Sequence, residues 1–493
     1  MNNKNENDTV KDCEAILEAM QVPDQKSVYC VGSFEKGKIT IHSQQTRALN
    51  LAYALIIKEL CTVDDRGCLQ IKKTYKSIAI VGAGFSGMTI AYALSNIPQV
   101  NLHVFDQYQG SFNMQRKSDR VIHPNVFDWP AHDCGREKTT FPFFNWQMRE
   151  VKDVINMLSK QLDLRNANYK TSLKQYNHVK ITRIESDEGV VTISQGKDNI
   201  PAFFDIAIVC VGFGKEEIHK QSYWLKDNDD VNSTDKKSRY LISGNGDGGI
   251  IDSIRMSLYD FRYDDFITEL VNNSYLKAVG TILLESETAI GFSTRSDGEK
   301  ADELYTLYEK AVQLDETFKQ VKELLRKHKK SDIREVHLVG RSASPFSFSA
   351  NPLNKLLISI FCHPAFGYIK YHSSIEEFKK HLVPPVNQKN SFLRAFFNQI
   401  RNLRLSIEMG SYKKLLRTGP TPVVYLLFKE FKKEIIEEKI KQLKQLNIGN
   451  KQYWQSVPDF FTSDGFNIDD QYLGLPKKAD NADFNGGKGS LIL

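Results

Sequence analysis

The sequence predicts an α/β protein with two parallel-sheet domains, a helical insertion in the second, and a mostly helical C-terminal region. Three observations predict it. A strand-like apolar run enters a glycine turn and then a helix at SIAIVGAGFSGMTIAYAL, residues 77–94, and again at SRYLISGNGDGGIIDSIR, residues 238–255. A further apolar run ending in glycine, DIAIVCVGFG, stands at 205–214. The strand pattern EVHLVGR, from residue 335, is separated from the second turn by a long stretch with helical periodicity.

The opening residues 1–26 read as a polar start with one short helix, TVKDCEAILEAM. Two short strands, SVYCVG and GKITIHS, are expected next. Ser43 is expected to cap the helix QQTRALNLAYALIIKEL, on which Leu49, Ala52, Tyr53 and Ile56 share one face. The turn-rich VDDRGC then leads into KSIAIVGAG. The expected organisation is an N-terminal extension over 1–70, a first domain over 71–215 and a second over 216–385 with an insertion at about 256–332. A helical region over 386–475 and a disordered tail over 476–493 complete it.

The first glycine turn contains the parts of a dinucleotide site in order. Ile78, Ile80 and Val81 supply a buried strand, and Gly82 allows the tight turn. Gly84 lets the backbone approach a pyrophosphate, and Gly87 permits close packing of helix on strand. Phe85 and Ser86 fill the turn at the helix start, where unpaired N–H groups face the phosphates. The next strand, NLHVFD, ends in Asp106, 19 residues beyond Gly87. That spacing suits an acid holding a ribose hydroxyl, and an acid there repels a 2′-phosphate.

The second turn carries Gly244, Gly246 and Gly249 at the same spacing, but Asp247 sits inside it. A carboxylate about 5 Å from a phosphate charge would cost about 3 kcal/mol at an effective dielectric of about 20. The objection weakens if Asp247 projects outward or caps the helix beginning near Gly249. No strand follows within the usual distance, so EVHLVGR is expected to be the displaced partner strand. Arg341 and Ser342 then stand at its end, where an arginine fork suits a phosphate.

With both turns in place, the chain resembles flavoproteins with two dinucleotide-binding domains, including flavin-containing monooxygenases and pyridine-nucleotide-dependent reductases. The resemblance covers roughly 75–360. It implies an FAD-binding Rossmann-like domain on the first turn, with Gly212 beside the flavin nucleotide, and an NAD(P)-binding Rossmann-like domain on the second. It also implies that the aromatic stretch after Asp106 runs along the flavin, with His123, Asn125 and Trp129 as lining candidates and Arg116 or Arg120 towards phosphate. A core role for Trp129 and Phe144 is the plainer alternative. RTGPTP, residues 417–422, is either a return of the chain to the flavin or an ordinary Gly-Pro turn.

Composition excludes several other classes. Of the seven cysteines none forms a Cys-x-x-Cys pair or has zinc spacing, so neither a disulfide framework nor a structural metal is indicated, and thiol–disulfide chemistry is disfavoured. The net charge of +6 is modest, and acids interleave the basic region, which argues against nucleic-acid binding. No apolar run approaches the roughly 18 residues of a bilayer span. A cytoplasmic protein is therefore expected.

The function expected is that of an FAD-dependent oxidoreductase reduced by NADPH, of monooxygenase or NADPH-oxidase type, acting on a small molecule the sequence does not name. No side chain need be an obligatory acid or base. The alternative is a sensor or effector subunit of a larger bacterial-type assembly in stress or defence, binding or depleting NAD(P)(H). A protein partner or a second copy would then dock through the helical insertion or the basic C-terminal helix.

Overall fold

A computed structural model describes residues 3–32, 39–63, 69–95, 97–168, 173–196, 200–212, 223–224, 239–257, 263–328, 335–383, 409, 413–416 and 433–456. The RTGPTP segment and the tail from 476 lie outside the described residues. The chain divides into two compact units. One comprises 1–124, 138–214 and 421–493; the other comprises 125–137 and 215–420.

The first unit is built on a five-stranded sheet whose neighbouring strands all pair in parallel. Its order is Val28–Cys30, Ile206–Val209, Lys76–Val81, Val100–Phe105 and Leu173–Tyr176. Register places Ile78 beside Ile206 on one side and Leu102 on the other. Ile206–Val209 is apolar throughout and Ile78–Val81 is buried, as expected of a parallel sheet covered on both faces. An antiparallel sheet of Ile181–Asp187, Val190–Gln195 and Ile200–Phe204 is a separate element.

The N-terminal chain is part of this unit. Val28–Cys30 extends the sheet at one edge, and the helix Ile41–Leu55 packs on the helix Phe85–Leu94. The strand expected at GKITIHS is replaced in its latter half by the start of that helix. Thr40, not Ser43, is the N-cap: its hydroxyl accepts from Ser43 N–H while the Ser43 hydroxyl accepts from Thr40 N–H, each at 3.0 Å. This reciprocal pair is a capping box with serine in place of the usual glutamate, and it outweighs the β-propensity of Ile39 and Ile41. Leu49, Ala52, Tyr53 and Ile56 are all buried. Asn50 fastens the segment 448–453 to this helix, donating to the carbonyls of Ile448 and Lys451 and accepting from Tyr453 N–H.

The second unit has a four-stranded parallel sheet in the order Ile369–His372, Glu335–Val339, Arg239–Ser243 and Lys413–Leu416. Among the described residues, four further helices lie between the turn's own helix, Asp247–Ser257, and Glu335: Tyr263–Asn272, Ser274–Gly291, Asp297–Gln313 and Asp315–His328. After them Arg239 pairs with Glu335 and Ser243 with Val339, so the two strands are neighbours despite the long detour. The insertion folds onto the sheet's apolar face. Leu276, Leu283, Leu304, Tyr308 and Val321 join Tyr240, Ile242, Val336 and Leu338 in one buried cluster with the helix Pro352–Cys362. Alternation along the strand sends His337 and Val339 to the opposite face, towards the helix Ile375–Leu382.

Among the described residues no helix is long and apolar enough to cross a membrane, and no cluster of His, Cys, Asp or Glu is placed to hold a metal ion.

Candidate functional site: two glycine turns

In the first unit the strand Lys76–Val81 ends in Gly82, whose φ of 109° lies in the region that glycine tolerates best. A Cβ there would lie 2.7 Å from the Cys210 carbonyl oxygen. Gly84 is the N-cap of the helix Phe85–Leu94, and space is open around it. The first intrahelical bond runs from Met88 N–H to Gly84 O, leaving the N–H groups of Phe85, Ser86 and Gly87 without an intrahelical acceptor. A Cβ on Gly87 would collide with the Gly82 carbonyl, so only glycine lets the helix start this close to the strand.

The second turn repeats this skeleton. Gly244 has φ 108°, Ile250 N–H bonds Gly246 O, and a Cβ on Gly249 would collide with the Gly244 carbonyl. The correspondence extends to the neighbouring strand. Gly82 N–H donates to Phe105 O and Gly244 N–H to Val339 O, which makes Asp106 and Gly340 equivalent positions. In both units a loop then returns to the second residue of the turn: Phe112 N–H donates to Ala83 O, and Ser347 N–H to Asn245 O, each at 2.8 Å.

The side chains on this skeleton differ. Asp106 accepts from Ala83 N–H at 2.7 Å and from Tyr108 N–H at 2.8 Å, which fixes its carboxylate at the mouth of the first turn. Each of its oxygens keeps a lone pair for a further donor. Phe85 and Phe112 pack together with ring centroids 5.0 Å apart, forming an apolar wall. Ser86 is turned inward: its hydroxyl bonds the Cys210 thiol, which burial pushes well above the usual thiol range. Gly212 follows the strand Ile206–Val209, whose end bonds the turn through Cys210 N–H to Val81 O.

At the second turn the helix begins at Asp247 itself, two residues earlier than the sequence suggests. The Asp247 carboxylate accepts from Asn351 N–H at 2.8 Å and from Asn354 Nδ2 at 2.7 Å. It thus lies at the N-terminus of the helix Pro352–Cys362, where the helix dipole favours negative charge. Asn245 Nδ2 reaches Ser344 O at 3.2 Å and Ser342 Oγ at 3.5 Å, bringing the turn and the end of the strand Glu335–Val339 together. Tyr371 fixes this end by donating to Ser342 O at 2.6 Å. Arg341 is exposed beside it.

The expected residues therefore fall into two groups. Gly82, Gly84, Phe85, Ser86, Gly87, Asp106 and Gly212 gather at the carboxyl end of the first sheet; Gly244, Gly246, Gly249, Arg341 and Ser342 gather at that of the second. His123 is buried in the first unit, and burial lowers its imidazole to about 4, so it is neutral near pH 7. Trp129 belongs to the second unit's core, packed over Gly280, where a side chain would strike the indole ring. Arg116 is exposed and donates to Ser111 O, Asn125 Nδ2 donates to Arg136 O, and Phe144 packs on Tyr92. Phe112, Ser347, Asn351, Asn354 and Tyr371 shape the turns without any signal in the sequence.

No family model matches the chain, and no curated protein matches its sequence. Among solved structures, a cyclohexanone monooxygenase variant from a Rhodococcus species, bound to NADP+, is 10% identical over 62% of this chain and 66% of its own, with a TM-score of 0.29. A flavin monooxygenase variant from Stenotrophomonas maltophilia is 11% identical over 37% and 55%, with a TM-score of 0.27. A flavoprotein disulfide reductase from Escherichia coli is 10% identical over 39% of this chain, which spans only 26% of that protein, with a TM-score of 0.20. All three likenesses are partial and of low identity.

Proposed function

We propose that the chain is an FAD-dependent oxidoreductase that draws reducing equivalents from NADPH. The observation that carries this reading is the repeated turn with opposite chemistry at its equivalent positions: a fixed carboxylate, Asp106, in the first unit, and Gly340 followed by Arg341 in the second. An acid accepts from ribose hydroxyls and repels a 2′-phosphate, whereas a glycine removes that repulsion and an exposed guanidinium can grip the phosphate.

The first cradle fits FAD. Space is open at Gly84, the N–H groups of Phe85, Ser86 and Gly87 lack intrahelical acceptors, and Asp106 is fixed beside them. These N–H groups would bind the pyrophosphate, Asp106 would accept from the adenosine ribose, and Phe85 with Phe112 would exclude water from one side. FAD when bound would supply the redox chemistry, accepting a hydride and passing electrons onward. In the second unit the N–H groups of Asp247, Gly248 and Gly249 would bind the NADPH pyrophosphate, with Ser342 and Arg341 orienting the 2′-phosphate.

The test is to extract the cofactor from purified protein by heat, identify it, and follow NADPH consumption with oxygen uptake. FAD together with NADPH-dependent oxygen uptake supports the reading; a colourless protein that leaves NADPH untouched sinks it. A second reading, a nucleotide-binding sensor or effector subunit, draws support from three apolar side chains on the insertion: Ile282, Phe292 and Leu314 are 64%, 86% and 51% exposed. A flavin-bound protein inert to both NADPH and NADH would favour it.

A further inference from the structure

The loop that closes over the second turn, residues 342–351, is tied to the turn and sheet by Asn245, Asp247 and Tyr371 and is gripped from its other side by the helical insertion. Ser344 N–H donates to Asp302 Oδ1 at 2.8 Å, from the helix Asp297–Gln313. Tyr305 and Tyr308 of the same helix pack edge-on against Phe346, with centroids 5.8 and 5.4 Å away. Lys355, fully buried, donates to Phe348 O at 2.7 Å and pairs at 2.8 Å with Glu287 of the helix Ser274–Gly291. Its ammonium also lies 5.8 and 5.2 Å from the Phe346 and Phe348 ring centroids. Between these two anchors stands Ser347, whose N–H meets Asn245 O in the turn and whose Oγ lies 3.9 Å from where a Cβ on Gly246 would be.

A buried ion pair is a weak source of net stability, and an apolar pair of similar volume often does as well. What the charges add here is direction: the lysine's donors fix a carbonyl one residue beyond Ser347. We infer that the insertion is the scaffold of the second nucleotide site, with Asp302 and the Glu287–Lys355 pair as positioning residues that hold the loop 344–348 against the glycine turn. Nucleotide affinity at the second turn is then set from the insertion. The inference rests on the reading of that turn as an NADPH site.

The test uses the full-length protein and two readouts: the NADP+ dissociation constant by calorimetry, and amide hydrogen exchange of 244–250 and 343–350 without ligand. Asp302→Ala is expected to weaken NADP+ about tenfold, the worth of one charge-assisted hydrogen bond. It should also speed exchange at Ser344 and Ser347, with flavin content unchanged. Asp302→Asn keeps the accepting oxygen and should restore both readouts, a rescue that mere filling of space would not require. Glu287→Gln combined with Lys355→Met removes both charges together and should also speed exchange at Ser347; if it fails to fold, the Asp302 variants decide alone. NADP+ affinity within about twofold of wild type and unchanged exchange in Asp302→Ala would overturn the inference. If the wild type binds no NADP+, the NADPH reading of the turn fails, and exchange alone decides whether the insertion holds the loop.

Discussion

The two glycine turns have one backbone and two sets of side chains. Gly82 and Gly244 share a φ within a degree, Gly87 and Gly249 are forced by the same carbonyl, and each turn is closed by a returning loop N–H. Backbone geometry alone makes an anion cradle at a helix N-terminus. What differs is the end of the adjacent strand, Asp106 against Gly340, and the first helical residue, Phe85 against Asp247. The first turn is walled by aromatic rings and the second by serines and asparagines. On the function proposed above, the comparison teaches that the shared turn would admit a dinucleotide while the neighbouring strand's terminal residues would select which one.

The harshest way to break the comparison is to fill the cradles. Gly84→Asp places a charge in the open space of the first turn and should reduce flavin content at least about a hundredfold. Gly246→Asp should abolish reduction of the flavin by NADPH while flavin is retained. Loss of flavin from the second variant would mean that the two turns do not act separately. Next in size, Arg341→Ala should raise the dissociation constant for NADPH about tenfold to a hundredfold and leave that for NADH nearly unchanged. Equal effects on both nucleotides would remove the case for a 2′-phosphate contact.

Asp247 sharpens the contrast further. If its charge merely repelled phosphate, Asp247→Ala would tighten NADPH binding. Because the carboxylate holds Asn351 and Asn354, the account predicts the reverse: weaker binding, and a loss of about 2 kcal/mol on chemical denaturation of the second unit.

The smallest effect concerns pH and only the second unit. His337 Nε2 donates to Glu335 at 2.9 Å, so its Nδ1 accepts from His372 Nε2 at 2.8 Å, and His381 and Phe378 pack beside them. Burial, then the neighbouring His337 and His381, lower His372 to about 4; burial also lowers His337, against the pull of Glu335. Arg239 and Lys370 face Glu335, and Glu377 acts on His372 from the covering helix. The unfolded chain takes up a proton at His372 below about pH 6.5 that the folded unit refuses until near pH 4, so stability falls as pH falls through that window. Melting temperatures between pH 7.5 and 4.5 should decline, and His372→Gln should flatten the decline. A decline of equal size in that variant would place the titration elsewhere.

Much of this was legible because local rules carried it. The Asp106 spacing, both glycine patterns and the strand character of EVHLVGR needed only neighbouring residues. The rest depended on partners distant in the chain. Asp247 looked hostile to phosphate until Asn351 and Asn354, more than a hundred residues away, took up its carboxylate. The strand Val28–Cys30 is too short for its pairing with Ala207–Val209 to be visible beforehand. Trp129 sits in an aromatic stretch suited to a flavin wall, and only Gly280, on a helix of the insertion, shows which core receives it. The helix start at Thr40 was obscured by β-branched residues that a capping box overrode.

The most direct measurement is an anaerobic titration of the purified protein with NADPH, following the visible flavin bands. The account predicts that flavin bands are present and bleach with about one equivalent of NADPH, far faster than with NADH. Flavin bands that persist under excess NADPH would contradict it, leaving a second turn that keeps its backbone and binds no electron donor.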